Sequence, residues 1–466
     1  MKIKFTPRMG MRAAVLLIML AFLALFPTPL KENSLHNLQV NPKYESSNAN
    51  ELPESSSLPS LSSLQGSSSP SLSSLPQSSA LPSLSSQSKF SSASSKQPSS
   101  SGQSSNHVIV QPISKSSTSA RNYIVGYYTS WSRSSGFTPD RIDATKLTHI
   151  NYAFADISSG LQLTMTDANT DTKNLEGLRN LKKKNPALKI IISVGGWDNS
   201  KRFSDAALTS SSREIFAQSC LNFIQKYGLD GVDLDWEYPV SGGVAGTVHR
   251  PQDKQNYTKL IYAIRQKLNA QTARDGKQYF LTITGAPDKT FISNTEPALF
   301  SYVDYLFIMA YDMNGPWDQY TGFNAPLYPS KAGNRISVSQ GINNYLNAGA
   351  SPKKLVLGMP FYGYSYQVSS ASNNGLNSTF TAAKSVGYDA VVSKFLNNSA
   401  YSVYYDNVSM VPYLFGNNTF VTYENSQSIA QKAKLAKKYG LAGVGAWELA
   451  LDKSGTLLTS AYKAFQ

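Results

Sequence analysis

Two textures divide the chain. From about Pro42 to Ala120 Ser dominates, with Pro, Leu and Gln interspersed; beyond Arg121, short apolar runs alternate with amphipathic stretches to the C-terminus. The apolar runs Tyr123–Tyr128, Leu147–Phe154, Leu188–Val194, Gly231–Asp235, Tyr279–Thr284, Val303–Met309, Leu355–Met359 and Ala442–Ala446 read as eight strands. Continuous Val- and Ile-rich runs are what parallel strands covered on both faces look like. Helical patterns lie between most of them. Tyr257, Leu260, Ile261, Ile264 and Leu268 share one helical face after Pro251, and Ser211-x-x-Glu214 predicts a capping box for a helix ended by Gly228. Eight strand–helix units predict an α/β fold of the (β/α)8 barrel type. A doubly wound open sheet is the alternative, but no GxGxxG follows the first strand. One connection is too long for a simple crossover, with about 80 residues between Met359 and Ala442. Within it Ser426–Tyr439 reads as the helix before strand eight. Residues 363–415 predict a small inserted α+β subdomain on the top face.

The region before the barrel reads differently. Lys2, Lys4, Arg8 and Arg12 precede an unbroken apolar run from Ala13 to Phe26, stopped by Pro27 and Pro29. A basic flank and a run shorter than the ~20 residues of a membrane span predict a secretory signal within residues 1–30. No clear Ala-x-Ala site follows, so an uncleaved segment tethering the protein to a membrane or cell wall is the alternative. Residues 31–120 are too Ser-rich to offset their conformational entropy by burial and predict a disordered linker. A secreted, monomeric protein is expected.

Composition narrows the chemistry. Apolar residues make up 41% of the chain, with 27 Tyr and 20 Phe, enough for a sizeable core. The net charge of +14 is spread along the sequence, with short runs such as Lys182-Lys183-Lys184. Dispersed charge reads as a solvated basic surface, whereas nucleic-acid modules concentrate theirs on one face. No nucleic-acid partner is expected. Cys220 is the sole cysteine. It permits no intrachain disulfide and reads as a buried thiol on the apolar side of a helix. With 4 His and no HExxH spacing, neither a metal nor a cofactor is expected.

Chemistry concentrates at Leu229–Pro239, which reads LDGVDLDWEYP. Strand alternation puts Asp233, Asp235 and Glu237 on one face and Val232, Leu234 and Trp236 on the other. Three inward carboxylates would be costly in a structural strand. Their mutual repulsion keeps one or more protonated near neutrality, which is what a general acid requires. An acidic surface strand or a cation site is the bland alternative, and the Gly, Val, Leu and Trp around the acids argue for burial. Asp230 has the opposite parity and reads as structural.

DGVDLDWE resembles the DxxDxDxE signature of glycoside hydrolase family 18, and Tyr238-Pro239 follows as in its chitinases. Ser193-Val194-Gly195-Gly196 resembles the family's SxGG motif, Met309-Ala310-Tyr311-Asp312 its MxYD motif, and Trp447 its tryptophan after strand eight; together these span residues 121–466. The resemblance implies a retaining, substrate-assisted chitinase, an exception to the two-carboxylate scheme. Glu237 would be the acid, Asp235 would hold the acetamido N–H and balance positive charge, Asp233 would share a proton with Asp235, and Tyr311 would donate to the acetamido oxygen. Trp131, Trp197, Trp317 and Trp447 each follow a predicted strand and read as sugar-stacking walls, with Tyr127, Phe154, Met309 and Asp312 as further members of the substrate site. Trp236 points away from the acids and reads as core. Many relatives carry Arg where this chain has Tyr364, which puts a polar contact to the sugar in question. Two other readings stand beside a chitinase: an inactive chitin-binding lectin on the same fold, and a glycosidase acting on peptidoglycan or N-glycan cores.

Overall fold

The computed structural model describes residues 122–330 and 336–466. The predicted signal segment and the predicted Ser-rich linker lie outside the described residues. Eight strands follow one another as β1 (Tyr123–Thr129), β2 (His149–Ile157), β3 (Lys189–Gly195), β4 (Gly231–Asp235), β5 (Phe280–Gly285), β6 (Tyr305–Ile308), β7 (Leu355–Pro360) and β8 (Gly443–Trp447). Each pairs in parallel with its sequence neighbour. The β8–β1 pairing, Tyr123 opposite Gly443, closes the ring. This is the (β/α)8 barrel expected. A short strand, Leu163–Met165, adds itself antiparallel to β2; its three residues are too few to register as a run.

The main helices are α1 (Ala168–Asn180), α2 (Ser210–Tyr227), α3 (Asp253–Asp275), α4 (Val338–Asn347), α5 (Ser426–Lys438) and α6 (Thr456–Phe465). In α3 the predicted face, Tyr257, Leu260, Ile261, Ile264 and Leu268, is buried throughout. The start of α2 differs from expectation. Thr209, extended at φ −114°, is the N-cap, and its side chain and that of Ser212 bond each other's backbone N–H groups. Glu214 lies two residues too far along to close the box and pairs with Lys267 instead. Gly228 ends the helix at φ +62°, the left-handed cap that glycine adopts without strain. Cys220 is buried on α2, and Asp230 accepts Lys182 Nζ at 2.5 Å and Ile190 N–H at 2.7 Å.

Inside the barrel the side chains lie in tiers. At the base, the buried His149 ring meets Phe280, Tyr123 and Tyr305 edge-on, with centroids 4.7, 5.0 and 5.6 Å away. Above them the Phe307 ring fills the axis. A Cβ on Gly358 or Gly445 would come within 2.4 or 2.5 Å of that ring, so both strands need glycine there. The polar tier described below sits at the top.

Between β7 and β8 the chain forms a five-stranded antiparallel sheet in the order Phe380–Gly387, Tyr362–Val368, Thr419–Thr422, Val411–Gly416 and Ser402–Asp406. It reaches beyond the expected end at Phe415. Asn417 and Asn418, at φ +48° and +51°, make a two-residue hairpin turn that returns Thr419–Thr422 against Val411–Gly416, and the other edge of that strand pairs with Tyr362–Val368.

Candidate active site

Strand β4 delivers the three acids in order of depth. Register places Asp233 beside Ser193 of β3 and Thr282 of β5. Their hydroxyls donate to it, Ser193 to Oδ2 at 2.7 Å and Thr282 to Oδ1 at 2.6 Å, and Tyr127 adds a third bond to Oδ2 at 2.9 Å. Two residues on, Asp235 accepts the Thr284 hydroxyl at Oδ1. Glu237 stands at the lip. Its backbone N–H donates to Ser200 Oγ at 2.9 Å, and its Oε2 accepts the Tyr238 hydroxyl at 2.7 Å. All three acids are buried, and Trp236 faces the other way, stacked on Phe203 at 5.3 Å.

Two glycines at the end of β3 make room for their neighbours. A Cβ on Gly195, at φ +101°, would lie 2.3 Å from the Asp235 carbonyl oxygen. One on Gly196, at φ +73°, would lie 2.5 Å from the Phe154 ring. The SxGG stretch is therefore a matter of clearance and backbone freedom.

Above the acids opens a cavity of about 920 Å³. Asp235, Glu237, Met309, Tyr311 and Asp312 line it, together with Tyr127, Trp131, Phe154, Trp197 and Trp447. Phe154 and Trp447 stack with centroids 5.6 Å apart, Tyr127 tilts against Trp447 at 5.4 Å, and Trp131 stands at the rim, 38% exposed. Such an aromatic wall offers flat apolar faces of the kind sugar rings cover. Asp233 lies beneath, sealed from the cavity. Trp317 does not line it: its indole packs edge-on behind Tyr364, centroids 5.8 Å apart.

The family model described as Glycosyl hydrolases family 18 matches residues 123–452. The chain belongs to glycoside hydrolase family 18. Chitinase A1 of Niallia circulans is 40% identical over 399 residues, covering 72% of this chain and 57% of that protein, so the chain spans under two thirds of that relative. The solved structure of the cell-surface-expressed multi-modular chitinase ChiW of Paenibacillus sp. str. FPU-7 matches at 37% identity and a TM-score of 0.69, over 74% of this chain and 43% of that one. A family 18 N-acetylglucosaminidase of Paenibacillus barengoltzii matches at 34% identity and a TM-score of 0.68, over 74% of this chain and the whole (100%) of that one.

In this family 18 barrel, burial dominates the electrostatics. It pushes the Asp233 carboxyl up, against the pull of the Thr282, Ser193 and Tyr127 hydroxyls. Burial, followed by the charges of Asp235, Asp312, Glu237 and Asp233, pushes the Tyr311 hydroxyl well above the usual tyrosine range, so Tyr311 remains a donor. A carboxyl at the lip, a second carboxyl beneath it and a protonated phenol are groups able to give a proton, balance a cation and orient a carbonyl oxygen.

Several residues of the site carry no mark in the sequence. Thr282 and Thr284 look like ordinary strand residues; their alternation with Leu281 and Ile283 is the signal that turns them inward. Tyr362 lines the cavity beside Tyr364, the position already singled out by its difference from relatives, and both donate to Asp312 Oδ1, at 2.5 and 2.6 Å. Glu448, next to the singled-out Trp447, lines it too. There burial raises its carboxyl to about 7, although Ala450 N–H at 2.9 Å and Ser132 Oγ at 3.3 Å favour the charged form.

Proposed function

We propose that this chain hydrolyses the β-1,4 linkages between N-acetylglucosamine units of chitin and chitooligosaccharides with retention, the substrate's own acetamido group acting as nucleophile. The observation that carries this reading is the graded row Asp233, Asp235, Glu237, running from a sealed base to an open cavity. Glu237 protonates the glycosidic oxygen as the C1–O bond breaks. The acetamido carbonyl oxygen, held by the Tyr311 hydroxyl, attacks C1 and closes an oxazolinium ring. Asp235 accepts the acetamido N–H and balances the positive charge. Asp233 fixes Asp235 from below, and its own orientation is set by three hydroxyl donors. The Glu237 carboxylate then takes a proton from water as that water attacks C1, and two displacements leave the configuration unchanged. Such acid–base assistance is worth about 10²–10⁴-fold, with preorganised donors adding more.

Proton NMR of fresh chitotetraose digests tests the reading. The β-anomer should appear first at the new reducing end. An α-anomer first would overturn retention, and tight binding with no hydrolysis would make the protein a lectin. Faster cleavage of peptidoglycan fragments or N-glycan cores than of chitotetraose would replace the substrate. Export is proposed from the basic-flanked apolar segment alone. Cells expressing the full chain should place activity outside the cytoplasm, and activity confined to the cytosol would contradict it.

A further inference from the structure

Asp312 is held by two neutral phenols. It lines the cavity just after β6, at φ +58°, with its backbone N–H donating to Asn324 Oδ1 at 2.8 Å. Both hydrogen bonds to its Oδ1 come from tyrosines, Tyr362 and Tyr364. Tyr364 is rigidly placed, since it is buried, laddered against Ser385 and Thr422, and backed by the Trp317 indole. Burial first, then the charge of Asp312, pushes both hydroxyls well above the usual tyrosine range. They stay protonated and donate, and they bring no positive charge.

Among the described residues of the cavity wall, no cation bonds to Asp312. Among the described residues lining the cavity, Lys453 is the sole Lys, Arg or His. It donates to the Ser135 carbonyl at 3.2 Å, and its charge acts on Asp389 and Glu448. The charges acting on Tyr311, the neighbour of Asp312, come from carboxylates. Asp235, Glu237 and Asp312 thus put three carboxyl groups into the cavity wall of a protein of net charge +14.

Resting on the reading above, we propose that Tyr364 determines specificity. By holding Asp312 with an uncharged donor, it leaves an anion facing a sugar next to the reacting one, and so favours a glucosamine ammonium there over N-acetylglucosamine. The reacting sugar must keep its acetamido group, which supplies the nucleophile. Its neighbour has no such duty. An ammonium offers donors and a full charge to the carboxylate, whereas an acetamide offers one neutral donor and a methyl group. Partially N-deacetylated chitin is then a better substrate than the fully acetylated polymer.

Digestion of a partially deacetylated chitosan by the full chain, with the product ends sequenced by mass spectrometry, tests this. N-acetylglucosamine should occupy the new reducing end. Glucosamine should be enriched about tenfold at a position flanking it, as expected of a hydrogen bond to a charged group. Raising salt to about 0.5 M should cut that enrichment several-fold. Tyr364→Arg, which keeps a donor and adds a charge, should bring it close to random, as should Asp312→Asn. Tyr364→Phe, which adds no charge, should keep the preference. A random flanking sugar in the wild-type digest, or an enrichment indifferent to salt, overturns the proposal without any variant having to fold. Cleavage of chitotetraose with retention in the same preparation shows that the underlying reading stands when the preference fails.

Discussion

The base and the mouth of the barrel are built by the same strands and filled with opposite chemistry. Along β5 the inward positions read Phe280, Thr282, Thr284: a ring at the base, then two hydroxyls. On β4 they read Gly231, Asp233, Asp235. At the base, His149 is walled in by Tyr123, Phe280 and Tyr305; at the mouth, carboxylates are held by Ser, Thr and Tyr donors. The apolar tiers supply dispersion and burial, while the polar tier costs desolvation and returns reactivity. Stability and chemistry therefore reside at different heights of one scaffold, and each can be changed with limited effect on the other.

The sharpest break of this contrast is Glu237→Gln. It should lower turnover of a fluorogenic chitooligosaccharide by about a thousandfold or more, leaving oligosaccharide binding and the melting temperature close to wild type. Wild-type turnover in this variant would remove Glu237 from the chemistry. Phe307→Ala strikes the middle tier. Its cost should be about 3–5 kcal/mol of unfolding free energy by denaturant titration, from lost burial and a cavity on the axis. An unchanged midpoint would mean that the ring is not the plug described.

Glu448 tests the mouth as a consumer of stability. Burial raises its carboxyl from the ordinary 4.5 to about 7. A raised folded-state value favours the native protein below pH 4.5, and that advantage is lost as pH climbs through about 7. Glu448→Gln should retain about 3 kcal/mol that the wild type loses over this window, read as denaturation midpoints from pH 4.5 to 8. Parallel curves for the two proteins would contradict it. The smallest effect is expected for Tyr127→Phe, which removes one of three donors to Asp233. It should cost about 1 kcal/mol, with a modest loss of turnover measured in the same assays.

Much of this architecture is legible in the sequence because parallel strands covered on both sides leave unbroken apolar runs, and because Asp233, Asp235 and Glu237 keep the two-residue period of a strand. What escapes notice depends on pairing across strands. Thr282 matters because register sets it beside Asp233, and no local pattern states that register. The cap of α2 differs from the expected one for a local reason: Ser211-x-x-Glu214 fits the capping rule, but Thr209-x-x-Ser212 fits the geometry. Trp317 follows its strand as the other wall tryptophans do, yet it packs edge-on against Tyr364. Spacing could not foresee a partner contributed from the inserted sheet.

A ring lying across the axis makes the barrel a cup instead of a conduit. With Phe307 seated over Gly358 and Gly445, and aromatic rings packed below, nothing drains through the floor. A polymer cannot thread such a cup; in the proposed reaction it lies across the rim. Water then enters, and both products leave, by one and the same doorway.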